Sequence, residues 1–490
     1  MFKRNTIALA VTATLACSPL ARAATDDDLK EIREQVRQMK EQYEKRIDAL
    51  EKRLQQAEQS AGKAEATAGK AETAAVNAEA TAGKAQVAAS QASVQASSRP
   101  ASENAMNPGI SLILNATYSN LSQDPTAHSI KGFVPTGGEV APPAKGLSLG
   151  ESELVISGNI DPNFRGTFTA ALGADNTIGV EEAYIQTLGL SHGLTVKAGR
   201  FLGSVGYSNQ VHAHAWDFTD TSLANKVFLG GAFIDDGISL KWVAPTELYL
   251  DLGVELGRGR AFPGGPSGGR NKNGFSQSTL FAHLGGDIGA GAAWQVGLSQ
   301  IRTRPQERTY TDTDSADKSI TNRIDGNGNT RLSVLDGVFK WAPNGNATST
   351  NFKLQGEYFR LQESGQLTYD TKSESQGTKS GAYSSQQSGW YAQGVYQFMP
   401  HWRVGYRYDQ LYSGTLALGL VDSGALSAAD FPILGKYDPK RQTLMADWSP
   451  SEFSRVRLQF ARDYSRPNQT DNQVFLQYIG SLGAHGGHKF

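Results

Sequence analysis

The residues best suited to chemistry lie in one stretch near the middle of the chain. Residues 209–220 read N-Q-V-H-A-H-A-W-D-F-T-D. His212 and His214 are two positions apart, so their side chains share a face if the segment is extended. Zn²⁺ binds imidazole and carboxylate groups. The stretch therefore predicts a zinc site made by His212, His214 and Asp217, with Asp220 as the alternative carboxylate.

A simpler interpretation of the same residues needs no metal. The imidazoles and carboxylates would hydrogen-bond the stretch to its surroundings, and Trp216 would anchor it. A histidine pair at this spacing is a weak metal signature. We favour this interpretation, in which the chain carries no cofactor.

Alternation of apolar and polar residues dominates the chain after Pro108 and predicts strands. The clearest example is Leu248–Leu256, where every second residue is leucine or valine and polar residues such as Asp251 and Glu255 lie between them. Successive side chains of a strand point to opposite faces. In a closed transmembrane barrel, the apolar face meets lipid and the polar face meets the lumen.

Sixteen such segments can be counted, and the connections between them alternate between short and long, except that two of the expected long connections, near residues 175 and 467, are short. The segments begin near residues 109, 150, 164, 179, 193, 233, 246, 276, 291, 331, 350, 387, 401, 440, 453 and 472. The fold predicted for residues 109–490 is an all-β, transmembrane, antiparallel barrel. Its short turns face the periplasm and its long loops face outward.

The residues before the barrel predict export and a helical stalk. Residues 1–23 have the basic start, apolar run and small-residue cleavage site of a signal peptide. Residues 24–98 are rich in helix formers, with apolar residues at alternating spacings of three and four. This spacing predicts a coiled coil, which buries its seam only by oligomerising. Residues 99–108 would be a linker.

Strand number and loop pattern resemble the bacterial outer-membrane porin superfamily over roughly residues 108–490. The added stalk resembles that of the coiled-coil sugar porins, and the barrel resembles the phosphate-selective porins. The phrase at 209–220, with Gly230-Gly-Ala-Phe-Ile-Asp-Asp236 after it, is similar to one in outer-membrane proteins described as zinc-regulated. The terminal Phe490, in phase with the last strand, resembles the signal read by the barrel assembly machinery.

The resemblance implies a homotrimer and an inward-folding loop. The loop after the fifth strand, residues 203–231, is expected to narrow the channel. The expected constriction residues are His212, His214, Trp216, Asp217, Asp220, Asp235 and Asp236.

Charges of both signs fall at inward-facing positions of the predicted strands. The basic ones are Lys353, Arg403, Arg407, Arg455 and Arg457, and the acidic ones are Glu153, Glu182, Asp251 and Glu255. Acidic loop residues that face a basic wall would set up a transverse field across the pore. Such a field favours polar solutes over apolar ones.

These features predict a porin for passive diffusion of small hydrophilic solutes in the outer membrane of a Gram-negative bacterium. The stalk would lie in the periplasm. The formal net charge of −1 argues against a nucleic-acid partner. No Ser-His-Asp set is identifiable by spacing, so we expect no enzyme. Two alternatives stay open: a barrel-anchored tether that reaches peptidoglycan, and an outer-membrane protein for zinc or metal uptake.

Overall fold

A computed structural model divides the chain into two compact units, residues 1–102 and 103–490. It describes scattered residues between Lys30 and Lys63, and then residues 108–137, 140–174, 176–267 and 273–483. The described residues of the first unit are all helical. The predicted signal peptide, the seam of the coiled coil, the linker before Pro108 and Phe490 lie outside the described residues, so these stay predictions. No described helix combines the length and apolar content needed to cross a membrane.

Nineteen strands of the second unit form one sheet. In chain order they are β1 (Gly109–Leu121), β2 (Gly146–Leu149), β3 (Ser152–Asn159), β4 (Phe164–Leu172), β5 (Ile178–Thr187), β6 (Leu194–Leu202), β7 (Ile234–Val243), β8 (Tyr249–Gly257), β9 (Gln277–Ile288), β10 (Ala292–Thr303), β11 (Arg308–Thr313), β12 (Ser319–Gly326), β13 (Thr330–Trp341), β14 (Asn351–Tyr369), β15 (Lys379–Met399), β16 (Trp402–Leu418), β17 (Lys440–Ser451), β18 (Ser454–Arg466) and β19 (Gln469–Gly483).

Sixteen of these strands close into an antiparallel barrel, which confirms the predicted barrel. Each pairs with its neighbours around the ring, and β1 closes the ring by pairing with β19. The other three lie in long connections: β2 pairs with β1, and the β11–β12 hairpin pairs with β14. The sequence predicted loops for these segments. The twelfth barrel strand was predicted to begin near residue 387 but begins at Lys379, because Lys379–Gln387 contains few apolar residues to alternate.

The two faces of the barrel differ as the alternation predicts. On β8, Leu252 and Leu256 are 39% and 38% exposed, whereas Asp251 and Glu255 are 4% and 3% exposed. The exposed side chains lie on the outer face and the buried polar ones on the inner face, because neighbouring residues point in opposite directions.

The connection between β6 and β7 folds inside the barrel. We call residues 203–233 the inward loop. It contains one short α-helix, α1 (Leu223–Leu229), in which every residue is buried. Ser222 caps its start by accepting a hydrogen bond from the Asn225 amide, and Gly230 ends it in the left-handed conformation at φ 68°. A second short helix, α2 (Gly419–Asp422), lies between β16 and β17.

Part of the lumen is apolar, which the alternation did not predict. Helix α1 packs against an apolar section of the inner wall formed by β10 and β13–β16. The cluster is formed by Ile130, Phe133, Val205, Leu223, Ala224, Val227, Phe228, Leu229, Phe233, Ile301, Leu332, Val334, Phe359, Leu361, Tyr391 and Leu411. Burying this surface against α1 favours the inward position of the loop.

Candidate functional site

The side chain of one asparagine joins the two ends of the inward loop. The side-chain amide of Asn209 donates to the carbonyls of Gly203 (2.8 Å) and Phe233 (3.1 Å), and its oxygen accepts from the Phe233 amide at 2.6 Å. Asn209 is 5% exposed. These bonds satisfy backbone groups that would otherwise be buried without a partner, so they hold the two ends of the loop together.

Three groups of the inner wall bind the first turn of the loop. Glu255 accepts from the Ser204 amide at 3.1 Å, Ser299 from the Gly206 amide at 3.3 Å, and Glu357 from the Ser208 amide at 2.6 Å. The acceptors belong to β8, β10 and β14, so the loop crosses the lumen immediately after β6.

The two histidines meet three glutamates of strands β3 and β5. We call Glu153, Glu181, Glu182, His212 and His214 the Glu–His cluster. His212 Nδ1 lies 3.1 Å from Glu181 Oε2 and 3.5 Å from Glu153 Oε2, and His212 Nε2 lies 3.1 Å from Glu182 Oε2. His214 Nδ1 lies 2.8 Å from Glu153 Oε1. The two rings are nearly parallel, with centroids 5.9 Å apart. The backbone between them is a 3₁₀ turn, Ala213–Ala215, and not the extended segment on which the predicted shared face depended.

Glu181 reaches the cluster because β5 contains a β-bulge. Opposite Thr169 and Ala170 of β4 stand Glu182 and Val180, so Glu181 is the extra residue. A bulge inserts one unpaired residue and re-aims the neighbouring side chains. Two consecutive glutamates therefore both approach His212, which a regular strand would prevent.

The carboxylates keep His212 protonated. Burial lowers the pKa of His212, but the hydrogen bonds to Glu181 and Glu182 and the charge of Glu153 outweigh burial and raise this pKa to about 11. Glu153 is 0% exposed, and its Oε2 makes no hydrogen bond.

A second set of charges holds the other part of the loop. We call Asp217, Asp220, Lys353, Arg403, Arg407 and Arg441 the Asp–Arg network. Asp217 pairs with Lys353 at 3.0 Å and with Arg403 at 3.1 Å. Asp220 pairs with Arg407 at 3.2 Å, with Arg441, and with Lys226 of α1 at 3.0 Å.

The cations of the network keep both aspartates ionised. Burial raises the pKa of Asp217, but Lys353 and Arg403 outweigh it and hold this pKa well below its usual value. For Asp220, burial also raises the pKa, and Arg441, Lys226 and Arg407 lower it well below the usual value. Burial lowers the pKa of the Lys226 ammonium, an effect that Asp220 opposes.

The predicted basic wall residues all contact the loop. Besides the pairs above, Arg455 donates to the His214 carbonyl, Arg457 donates to the Trp216 carbonyl at 2.9 Å, and Arg407 donates to the Asp220 carbonyl at 2.7 Å. The predicted field across an open gap is therefore wrong for Asp217 and Asp220, because both are in direct contact with the basic wall. The charges serve as attachments of the loop.

Two further predictions need correction. Asp217 is wrong as the third zinc ligand, since Lys353 and Arg403 occupy its oxygens and the carboxylates near the histidines come from β3 and β5. Asp236 is wrong as a constriction residue, because it follows the inward-facing Asp235 and so points outward, where it pairs with Arg200 at 2.7 Å.

The remaining predicted residues have local partners. Asp235 accepts from the Gly259 amide at 2.5 Å. Trp216 donates its indole N–H to the Val211 carbonyl at 2.8 Å, within the loop. Asp251 faces inward, but its partners are His283 (2.7 Å) and Tyr249 (2.7 Å) rather than the loop.

Sequence reasoning missed Glu181, Arg441 and Glu357. Arg441 and Glu357 stand at inward-facing positions of β17 and β14, where alternation carried to the ends of these strands would have found them. Glu181 has the outward parity of a regular strand. Its signal is the acidic pair Glu181-Glu182 in a strand that contacts lipid.

A cavity of about 30 Å³ lies between the loop and the Asp–Arg network. It is lined on the loop side by Tyr207, Trp216 and Phe218, and on the wall side by Lys353 and Arg407. This volume has room for about two water molecules.

Comparison with known proteins gives loose likenesses. No family model matches the chain. An uncharacterized protein of Aquifex aeolicus (strain VF5) is 28% identical over 428 residues, which cover 80% of this chain and 81% of that protein. The loop L8 deletion mutant of OmpT, an outer membrane protein of Vibrio cholerae, has a TM-score of 0.46 and 11% identity, covering 76% of this chain and 99% of that one. The outer membrane channel DcaP of Acinetobacter baumannii has a TM-score of 0.45 and 12% identity, covering 76% of this chain and 97% of that one.

The assignment of a closed barrel follows from the strand register of this chain, in which β1 pairs with β19.

Proposed function

We propose that the chain is an outer-membrane porin, trimeric and loop-constricted, through which small hydrophilic solutes diffuse passively. One observation carries the proposal. A closed ring of sixteen strands has an apolar outer face, while charged side chains of its inner face meet an inward loop. Lipid-exposed strands require closure, and a charged interior suits polar solutes.

The geometry of the loop favours a narrow channel. Both charged clusters bind the loop to the wall, and the cavity beside Arg407 holds only water-sized groups. The proposed channel is therefore narrowest where the inward loop crosses the lumen.

The apolar packing of α1 favours one competing function. A barrel whose lumen is filled around Phe228 and Phe359 would not conduct and would instead anchor the stalk. The chain would then be a tether between the outer membrane and peptidoglycan.

Single-channel recording in planar bilayers separates these functions. The purified full chain is compared with a variant in which residues 204–231 are replaced by a short Gly-Ser linker. Small steps from the wild type and large steps from the variant support the porin. A silent wild type with a conducting variant supports the tether. Silence from both folded proteins contradicts the porin.

A further inference from the structure

The Glu–His cluster differs from the Asp–Arg network in having an acidic excess. It brings three buried or half-buried carboxylates together at one histidine. Carboxylates taken out of water require compensating charge close by. The oxygen of Glu153 without a hydrogen bond, Oε2, is the atom directed at His212.

Three atoms of the cluster have the separations of metal ligands. His212 Nδ1 is 3.1 Å from Glu181 Oε2 and 3.5 Å from Glu153 Oε2, and one ligand atom from each of these residues lies within 4.8 Å of the others. Ligands about 2.1 Å from a tetrahedral Zn²⁺ are about 3.4 Å apart. The two separations between His212 Nδ1 and the carboxylate oxygens, 3.1 and 3.5 Å, lie on either side of this value.

The hydrogen-bond partners of these atoms are of the kind that usually surround metal ligands. A histidine that binds metal through one ring nitrogen commonly donates its other N–H to a carboxylate. His212 Nε2 has Glu182 at 3.1 Å. The second oxygen of Glu153 has His214 Nδ1 at 2.8 Å, which fixes the orientation of that carboxylate.

We infer that the Glu–His cluster binds a divalent transition metal, with Zn²⁺ as the best fit, through His212 Nδ1, Glu153 and Glu181. The inference deepens the proposed channel function by placing a cation site on its inward loop. Three protein ligands leave one further position for water or a solute.

Calorimetric titration of zinc into the full chain tests the site. The protein is purified in detergent without a histidine tag and treated with a chelator. His485 and His488, which lie outside the described residues, are changed to alanine in every sample so that they cannot bind zinc. We expect one Zn²⁺ per chain and no matching site for Ca²⁺, which prefers six to eight oxygen ligands.

Variants assign the binding to the cluster. His212→Ala, Glu153→Gln and Glu181→Gln should each weaken zinc binding by on the order of 100-fold. His192→Ala and Glu247→Gln, on exposed turns, should leave it unchanged. Equal affinity in wild type and in the first three variants, or no zinc binding by the wild type, overturns the site.

A spectroscopic measurement on the wild-type chain tests the site without variants, which could fail to fold. Co²⁺ in the wild-type chain should give the intense visible bands of a four-coordinate nitrogen and oxygen site, and Zn²⁺ should bleach them. Weak six-coordinate bands contradict the assignment. Conductance with no metal binding removes the site and leaves the porin, whereas metal binding by a non-conducting chain keeps the site and removes the porin.

Discussion

Asp220 shows how one carboxylate can support several buried cations inside a barrel. Arg407 and Arg441 are 2% and 1% exposed, Lys226 is 5% exposed, and all three pair with Asp220. Each ion loses its hydration on burial, and pairing repays that loss only while the partner remains. The attachment of the loop therefore depends on a few residues.

Replacing Asp220 should be costly. Asp220→Asn leaves three cations without their shared counter-charge, so the free energy of unfolding should fall by about 3–5 kcal/mol. Guanidinium unfolding in detergent, followed by tryptophan fluorescence, measures this. The matched control is Asp325→Asn, which breaks the exposed Arg323–Asp325 pair and should cost at most about 1 kcal/mol. Equal losses in the two variants would contradict the role of Asp220.

The contribution of Asp217 should vanish in acid. Its pKa lies below the usual value of 3.8, so its ion pairs stabilise the folded protein fully above that value and are lost as the pH falls through the lowered pKa. The stability difference between wild type and Asp217→Asn should be constant above about pH 5 and shrink steadily below pH 3.8. Unfolding midpoints from pH 7 to pH 2 test this, and a difference that is independent of pH refutes it.

At the scale of elements, the inward loop combines polar attachments with an apolar helix. The position of this connection between β6 and β7 follows from alternation and connection length, whereas its inward fold was expected only from the resemblance to porins. Helix α1 was not predicted, because seven residues are too few for a helical period to stand out. The β11–β12 hairpin was missed because Arg308–Thr313 is short and mostly polar.

Truncating the centre of α1 should loosen the loop. Phe228 is 0% exposed and stacks on Phe359 with ring centroids 5.7 Å apart. Phe228→Ala should lower the free energy of unfolding by about 3–5 kcal/mol and raise single-channel conductance, because the ring lies in the lumen. Phe275→Ala, at a residue 52% exposed, should change neither. A destabilised variant with unchanged conductance would show that α1 does not limit the passage.

At the scale of the whole molecule, the sequence predicts the barrel better than the contents of its lumen. The faces on which Leu252 and Asp251 lie follow from their even and odd positions alone, since side chains of a strand alternate with a period of two. The contacts of Asp217 depend on how the loop folds, which parity does not encode. The approach of Glu181 to His212 depends on a bulge, which breaks parity.

The distribution of charge across the lumen predicts ion selectivity. The Glu–His cluster lies against β3 and β5, and the Asp–Arg network lies against β14 and β16–β17. Neutralising Glu181 and Glu182 by Glu→Gln removes acidic charge from the first wall, so the reversal potential in a KCl gradient should shift towards that of chloride. Glu452→Gln, on the turn between β17 and β18, is the control. A shift in the opposite direction would contradict this charge assignment.

The bulge at Glu181 has an evolutionary consequence. Inserting one codon into a regular strand creates the bulge and brings a second carboxylate beside His212, while the pairing on either side, Thr169 with Glu182 and Ala170 with Val180, stays in register. A barrel without the second carboxylate beside His212 and a barrel with it are therefore a single insertion apart. The barrel can close its ring of strands both with and without the inserted residue.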